Sequence, residues 1–248
     1  MNKKIEIFVR HCFYSSNNVN KNRPKLFSQE LCYKNLLRTI DWEGEDSVNV
    51  TFILDVGNRN GKKHFIEEGT NKVVEIDAGN DAKSFLGMVE YVENLDLDDD
   101  TIVYFLEDDF FHNDGWVNIM REAFEVGSDY VTLYDHKDKY FLDLYDDLES
   151  QLFHTKSVHW RTSPSTTNTY AMKFKTFKKH IDIHKKYCDL NDGCTKDHDK
   201  FMNLWYEQNS SLISCIPGYS THMETEYMSP CVHWEDLLEQ ETNRLLKP

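Results

Sequence analysis

Along the first half of the chain, short runs of β-branched and aromatic residues alternate with stretches whose apolar positions recur at helical spacing. IEIFVRHCFY, residues 5–14, predicts a first strand. LFSQELCYKNLLRTI follows, with Leu31, Leu36, Leu37 and Ile40 spaced along one face of a helix. NVTFILDVG predicts a second strand, and HFIEEGTNKVVEIDAG carries a third. NDAKSFLGMVEYVENL then opens at Asn80 or Asp81, whose side-chain oxygen suits the N-cap of an amphipathic helix. TIVYFLEDDFF is apolar throughout its first part, as a strand buried on both faces of a parallel sheet is, and it ends abruptly in Glu107, Asp108 and Asp109. A helix over NDGWVNIMREAFEV, with Asn113 or Asp114 as its cap, and a fifth strand in SDYVTLYDH complete the alternation.

Strand and helix in this order predict an α/β fold with a mostly parallel central sheet and helices on both faces. Beyond Lys139 the pattern loosens. QLFHTKSVHW and TNTYAMKF read as paired strands flanking the polar turn RTSPSTT, followed by helices in KTFKKHIDIHKKY and KDHDKFMNLWYEQ and a strand in SLISCIPG. No internal repeat or low-complexity linker interrupts the chain, so a single α/β domain over 1–248 with an elaborated C-terminal part is the simplest organisation.

Composition narrows the function. With 248 residues, 40% of them hydrophobic and 13% aromatic, the chain is long and apolar enough to bury a substantial core. A formal charge of −15 opposes nonspecific binding to nucleic acid, whose phosphates such a surface repels. An anionic substrate therefore needs a local cation, from a metal or from a few Lys and Arg. No apolar run reaches the roughly 18 residues of a membrane span, and the N-terminus is too short in its apolar part for a signal peptide. A soluble, cytoplasmic protein is expected. The six cysteines lie scattered without a C-x-x-C pair, which fits reduced thiols better than a disulfide frame or a zinc site.

The three acids closing the fourth strand are the most informative chemistry. Ligands of open parallel sheets bind at the carboxyl ends of the strands, so these acids stand where a cleft is expected. In an extended segment Glu107 and Asp109 would point one way and Asp108 the other. Hard divalent cations take oxygen ligands, commonly one or two carboxylates together with substrate phosphates. The plainer reading is a solvated acid cluster capping the next helix.

VYFLEDDFF resembles the strand and acidic D-x-D motif of the glycosyltransferases with the GT-A fold, a Rossmann-like α/β architecture. The resemblance implies a metal, manganese (Mn2+) or magnesium (Mg2+), which holds the diphosphate of a nucleotide-sugar donor, with UDP-sugar as the implied donor. It assigns the metal to Glu107 and Asp109, with Asp108 toward the nucleotide, although E-D-D departs from D-x-D. His222 in IPGYSTHMETE is implied as a further ligand or diphosphate contact, and imidazole suits manganese better than magnesium. The end of the first strand, VRHCFYSS, would border base and ribose, with Arg10 as a contact and Tyr14 stacking on the base. Asp55, at the end of the second strand, and Asp77, Asn80 and Lys83 in DAGNDAKSF would meet the nucleotide, while a turn-forming Asp and an N-cap are the plain readings of Asp55 and Asn80.

On the acceptor side, TKDHDKFMNLW resembles the segment from which inverting members of that family take the carboxylate that deprotonates the acceptor hydroxyl. Asp197 is the first candidate and Asp199 the second, with helix capping as the alternative for either. HWRTSPSTTNTYAM resembles the acceptor-binding region, in which Trp160 would stack on a sugar and Arg161, Ser163 and Thr166 would bond hydroxyls or phosphate, with a core tryptophan and turn-forming serines as the plain readings. The resemblance divides the domain into a nucleotide-sugar half, 1–136, and an acceptor half, 137–248, the acceptor being a glycan or glycoprotein. It extends to glycosyltransferases of large DNA viruses, for which the location would be the host cytoplasm.

Two readings from other classes stay open. FILDVGNRNG could be the cofactor turn of an S-adenosylmethionine-dependent methyltransferase using Asp55 and Asp77. However, Arg59 stands where the middle glycine of such a turn belongs, and the strand is second in the chain where that turn normally follows the first. A non-catalytic glycan-binding protein, with acids on a cation and aromatics on sugar, is the other.

Overall fold

The apolar runs become strands and the periodic stretches become helices in the computed structural model, which describes residues 3–15, 21–42 and 47–246. In chain order the elements are β1 (Ile5–Cys12), α1 (Gln29–Trp42), β2 (Val48–Asp55), β3 (Lys72–Ile76), α2 (Asp81–Glu93), β4 (Ile102–Glu107), β5 (Phe110–His112), α3 (Trp116–Ala123) and β6 (Tyr130–Thr132). There follow β7 (Leu152–His154), β8 (His159–Thr162), β9 (Tyr170–Lys173), α4 (Phe174–Lys179), α5 (Ile181–Lys186), β10 (Cys188–Asp189), β11 (Cys194–Thr195), α6 (Asp197–Tyr206), β12 (Leu212–Ile216), β13 (Ser220–His222) and α7 (Trp234–Leu245). These elements fall into two compact units, each drawn from three stretches of chain. The first comprises Met1–Val19, Asp46–Glu107 and Pro164–Ser211; the second comprises Asn20–Glu45, Asp108–Ser163 and Leu212–Pro248.

In the first unit the strands lie in the order β3-β2-β1-β4-β9. The first four are mutually parallel and β9 runs antiparallel to β4. β1 sits between β2 and β4, which explains why its residues are buried almost from end to end. Asn80 caps α2, its side-chain oxygen accepting from the Lys83 amide at 2.9 Å. The helix buries Ala82, Phe85, Met88, Val89 and Val92 along one stripe. Each of the larger side chains contributes roughly 1.5–3 kcal/mol of transfer free energy. Phe105 of β4 is the hub of this core: Phe8, Phe85, Tyr170 and Phe177 approach its ring edge-on at centroid distances of 6.5, 5.8, 5.7 and 5.8 Å.

In the second unit β12 pairs in parallel with β6 and antiparallel with β8, and β8 pairs antiparallel with β7. A separate two-stranded ribbon joins β5 to β13 and sets Phe110 opposite His222. Leu31 and Cys32 of α1, Phe111, Met223, and Trp234 and Leu238 of α7 form one apolar cluster. Gly218 lets the chain turn from β12 into β13, since a Cβ there would come within 2.7 Å of Ser229 Oγ.

Three local expectations are corrected. The strand predicted over 101–111 breaks after Glu107, and residues 108–109 form a turn before β5. Strict alternation of side chains therefore does not extend across the three acids. The helix α3 starts behind Gly115, at φ 88°, with no side-chain cap, because Asp114 turns its carboxylate to Arg38 at 2.8 Å and Asn113 bonds the Asp114 amide. TNTYAMKF is not the partner of QLFHTKSVHW. Its core, β9, is apolar on both faces and pairs with β4, while β7 and β8 lie together inside 151–162.

None of the six cysteines is in a disulfide. Among the described residues no helix is long and apolar enough to cross a membrane.

His112, buried in β5, brackets Asn35 of α1: its amide donates to Asn35 Oδ1 at 2.8 Å, and its carbonyl accepts from Asn35 Nδ2 at 3.0 Å. Burial pushes its imidazole down to about 3. The unfolded chain therefore binds a proton at this residue that the folded chain refuses as pH falls from 6.5 toward 3, and stability present above that window is lost within it. Urea unfolding is expected to show a stability loss between pH 7 and pH 5 that His112→Gln reduces by up to about 1.4 kcal/mol per pH unit. An unchanged slope in the variant would contradict it.

Candidate functional site

The carboxyl ends of the parallel strands in the first unit carry a continuous polar network. The register places Arg10 beside Glu107 and Cys12 beside Asp55. Arg10 donates through Nη1 to Asp81 Oδ1 at 2.8 Å and through Nη2 to Glu107 Oε1 at 3.2 Å, with Phe85 beneath its guanidinium. Burial alone would lower Arg10, but Asp81 and Glu107 outweigh it and raise it. Burial likewise pushes Asp81 up, and Arg10 with Thr195 brings it below the usual carboxylate range. Glu107 also receives the Thr169 hydroxyl at 3.4 Å, while its amide donates to the same oxygen at 3.2 Å.

From Asp81 the network continues through Thr195 to Asn168, which bonds the Thr195 hydroxyl at 2.7 Å and accepts Lys200 Nζ at 2.8 Å. Lys200 then reaches Asp197 Oδ1 at 3.0 Å. Only 1% of Lys200 is exposed, and its ammonium lies over the rings of Phe85, Tyr170 and Phe201 at 4.7, 4.8 and 5.3 Å. A lysine is buried this deeply only when paired, and aromatic faces supply part of the lost hydration. Sequence reasoning passed over Lys200. The signal was its place on α6, three residues after Asp197 and on the same face as Leu204.

Asp55 serves the backbone. Its Oδ1 accepts from the amides of Gly57 and Ala78, both at 3.0 Å, and its Oδ2 from Gly79 at 2.9 Å. The carboxylate stitches the turn after β2 to the turn after β3, and a Cβ on Gly57 would meet Gly79 at 3.1 Å. The close approach that a glycine allows in FILDVG is thus made by the protein's own chain. Tyr14 is 60% exposed, Asp77, Lys83 and Asp199 are exposed, and Asn80 acts as the helix cap. Ser16, at the end of VRHCFYSS, lies outside the described residues.

The second unit gathers a different cluster about Asp109. Its Oδ2 accepts from Arg23 Nη2 at 2.7 Å and Lys21 Nζ at 3.3 Å, and it lies 2.9 Å from His222 Nε2. Burial would raise this carboxyl, but His222, Lys21 and Arg23 overcome burial and hold it well below the usual range. The ribbon β5–β13 fixes the pair, since Asp109 directly precedes β5 and His222 closes β13. Asp108 accepts from Gln29 at 2.7 Å.

Among the described residues no group of three or more His, Cys, Asp and Glu side chains is arranged to hold a metal. Asp109 and His222 nevertheless form a two-donor set of carboxylate and imidazole, the kind to which substrate oxygens and water add the rest. Of the three expected ligands, these two are brought together, while Glu107 bonds Arg10 and Thr169.

The expected acceptor residues are scattered in role. Trp160 is fully buried in the second unit, its indole N–H donating to Thr155 Oγ1 at 3.1 Å. Stacking on a sugar is ruled out for this ring: β8 turns it into the core. Arg161 pairs with Asp135 at 2.7 Å and lies over the ring of Tyr140, whose hydroxyl bonds the same carboxylate at 2.6 Å. Ser163 and Thr166 are buried.

No protein-family model matches the chain, and no curated protein matches it. Solved structures resemble it in fold. CMP:2-keto-3-deoxy-manno-octonic acid synthetase complexed with CTP matches at a TM-score of 0.51 and 11% identity, over 98% of this chain and 100% of the other. 4-Diphosphocytidyl-2C-methyl-D-erythritol synthase from Anaerococcus prevotii matches at 0.48 and 10% identity over 100% of both chains. The galactosyltransferase LgtC, in complex with donor and acceptor sugar analogs, matches at 0.43 and 10% identity over 80% of this chain and 69% of the other. The synthetase likeness shows a shared fold, and the chain has the mixed α/β architecture of the Rossmann-like GT-A type.

Asp55→Ala is expected to lower unfolding stability by about 3 kcal/mol by stranding three amides, and Asp55→Asn by less, because one acceptor oxygen remains. Equal losses in denaturant titrations of the two variants would show that the amides do not depend on that oxygen.

Proposed function

We propose that the chain is a metal-dependent glycosyltransferase, moving a sugar from a nucleotide-diphosphate donor, with UDP as carrier, to a hydroxyl of a glycan or glycoprotein. The buried Asp109–His222 pair carries this reading: a carboxylate and an imidazole 2.9 Å apart, following a parallel strand that ends in acids. In this reading Asp109 and His222 hold manganese or magnesium, which when bound offsets the charge developing on the leaving diphosphate. Glu107 is excused from that role by Arg10 and helps fix the strand ends.

Asp197 is the proposed base. Lys200 holds its Oδ1 from the buried side, and the side chain is about a quarter exposed at the start of α6. In an inverting transfer the acceptor oxygen bonds the anomeric carbon while the bond from that carbon to the diphosphate oxygen breaks. The acceptor proton passes to Asp197, and the bonding pair leaves with the diphosphate. A carboxylate on the incoming side also favours the oxocarbenium-like charge.

Two rivals lose support from particular contacts. The adenosylmethionine turn would need Asp55 and Gly57, whose carboxylate and open space already serve the backbone of Ala78 and Gly79. A glycan-binding surface built on Trp160 is lost with the burial of that ring.

Calorimetry with UDP is expected to show binding that requires manganese and weakens at least tenfold in Asp109→Ala and in His222→Gln. Asp197→Asn should keep that binding yet lower sugar transfer by about 10²–10⁴-fold. Binding of adenosylmethionine without UDP would reject the proposal. So would release of pyrophosphate from CTP in the presence of a sugar acid, which would mark nucleotidyl transfer.

A further inference from the structure

Lys21 makes a contact with His222 that competes with the contact between His222 and Asp109. Its ammonium lies 3.3 Å from Asp109 Oδ2 and 3.2 Å from His222 Nε2, while those two atoms are 2.9 Å from each other. An imidazole nitrogen either carries a hydrogen or presents a lone pair. With the hydrogen, Nε2 donates to Asp109 and turns an N–H toward the lysine ammonium. With the lone pair, Nε2 accepts from Lys21 and faces the carboxylate oxygen with no proton between them. Each state satisfies one contact at the expense of the other. Two lone pairs converging on a single cation meet no such conflict.

The neighbouring cations differ in how firmly they are held. Arg23 bonds Asp109 at 2.7 Å and the Met223 carbonyl at 2.6 Å, and it lies over the Phe27 ring at 4.5 Å. Lys21 reaches the pair on a flexible stem, and about a quarter of its side chain is exposed. Glu224 Oε2 stands 3.6 Å from His222 Nδ1. Asp109 and Glu224 stand against Lys21 and Arg23, and withdrawing Lys21 leaves Arg23 as the one cation beside the two carboxylates.

We propose that Lys21 is an internal stand-in for the divalent cation, keeping Asp109 and His222 together until the ion displaces it. This rests on the metal assignment made above and extends it. Metal affinity is then set by the exchange of one ammonium for one ion, and Lys21 lowers that affinity.

The test is manganese binding in the absence of nucleotide, followed by calorimetry and by the paramagnetic resonance of free manganese. It compares the wild-type chain with Lys21→Met and Lys21→Gln, and then with His222→Gln added to each. Both lysine variants are expected to bind manganese at least tenfold more tightly than wild type, and adding His222→Gln should abolish the gain. Equal or weaker binding by the lysine variants, with wild type still binding, overturns the stand-in role and leaves the metal assignment standing. No manganese binding by any of the chains overturns both.

Discussion

Placing carboxylates together inside a protein is tolerable only where cations are built in beside them, and this chain, with a formal charge of −15, meets that requirement with few residues. In the first unit Arg10 bridges Asp81 and Glu107 from a buried position on the central strand. In the second, Arg23 and Lys21 converge on Asp109, and Arg161 answers Asp135. Removing one partner of such a buried pair typically costs about 3–5 kcal/mol, because the stranded charge has no water to turn to. The strand ends can keep their acids because the sequence places these cations beside them.

Three adjacent acids that look alike in the sequence meet three different fates. Glu107 is neutralised by Arg10, Asp108 receives an amide from Gln29, and Asp109 gathers an imidazole and two cations. The break between β4 and the turn at residues 108–109 makes this possible, since an unbroken strand would have turned Glu107 and Asp109 to one side. Chemistry inferred from a run of acids therefore has to be assigned one carboxylate at a time.

The main strands and the cap of α2 could be read from the chain because each depends on local causes: an apolar run, or a side-chain oxygen three residues before an amide. What escaped depends on distant partners. Nothing near YAMK says that its partner is β4 rather than the neighbouring VHW run. Trp160 looked available to a sugar because a buried tryptophan and a stacking one have the same letters around them. Lys200 drew no attention by its type, although Phe201 and Leu204 mark that face of α6 as internal. The Asp109–His222 pair lies in between: both residues stood out by type, while their contact required the ribbon that sets Phe110 opposite His222.

The late arrival of β9 bears on how the chain is made. Strand β4 is complete at Glu107, yet its antiparallel partner begins only at Tyr170. At a synthesis rate of about 5–20 residues per second, the intervening stretch of about 60 residues takes on the order of 3–12 s to emerge. During that time the nascent sheet presents an unpaired, strongly apolar edge of the kind that recruits other strands. Pairing with β9 closes that edge only after residues 170–173 have emerged.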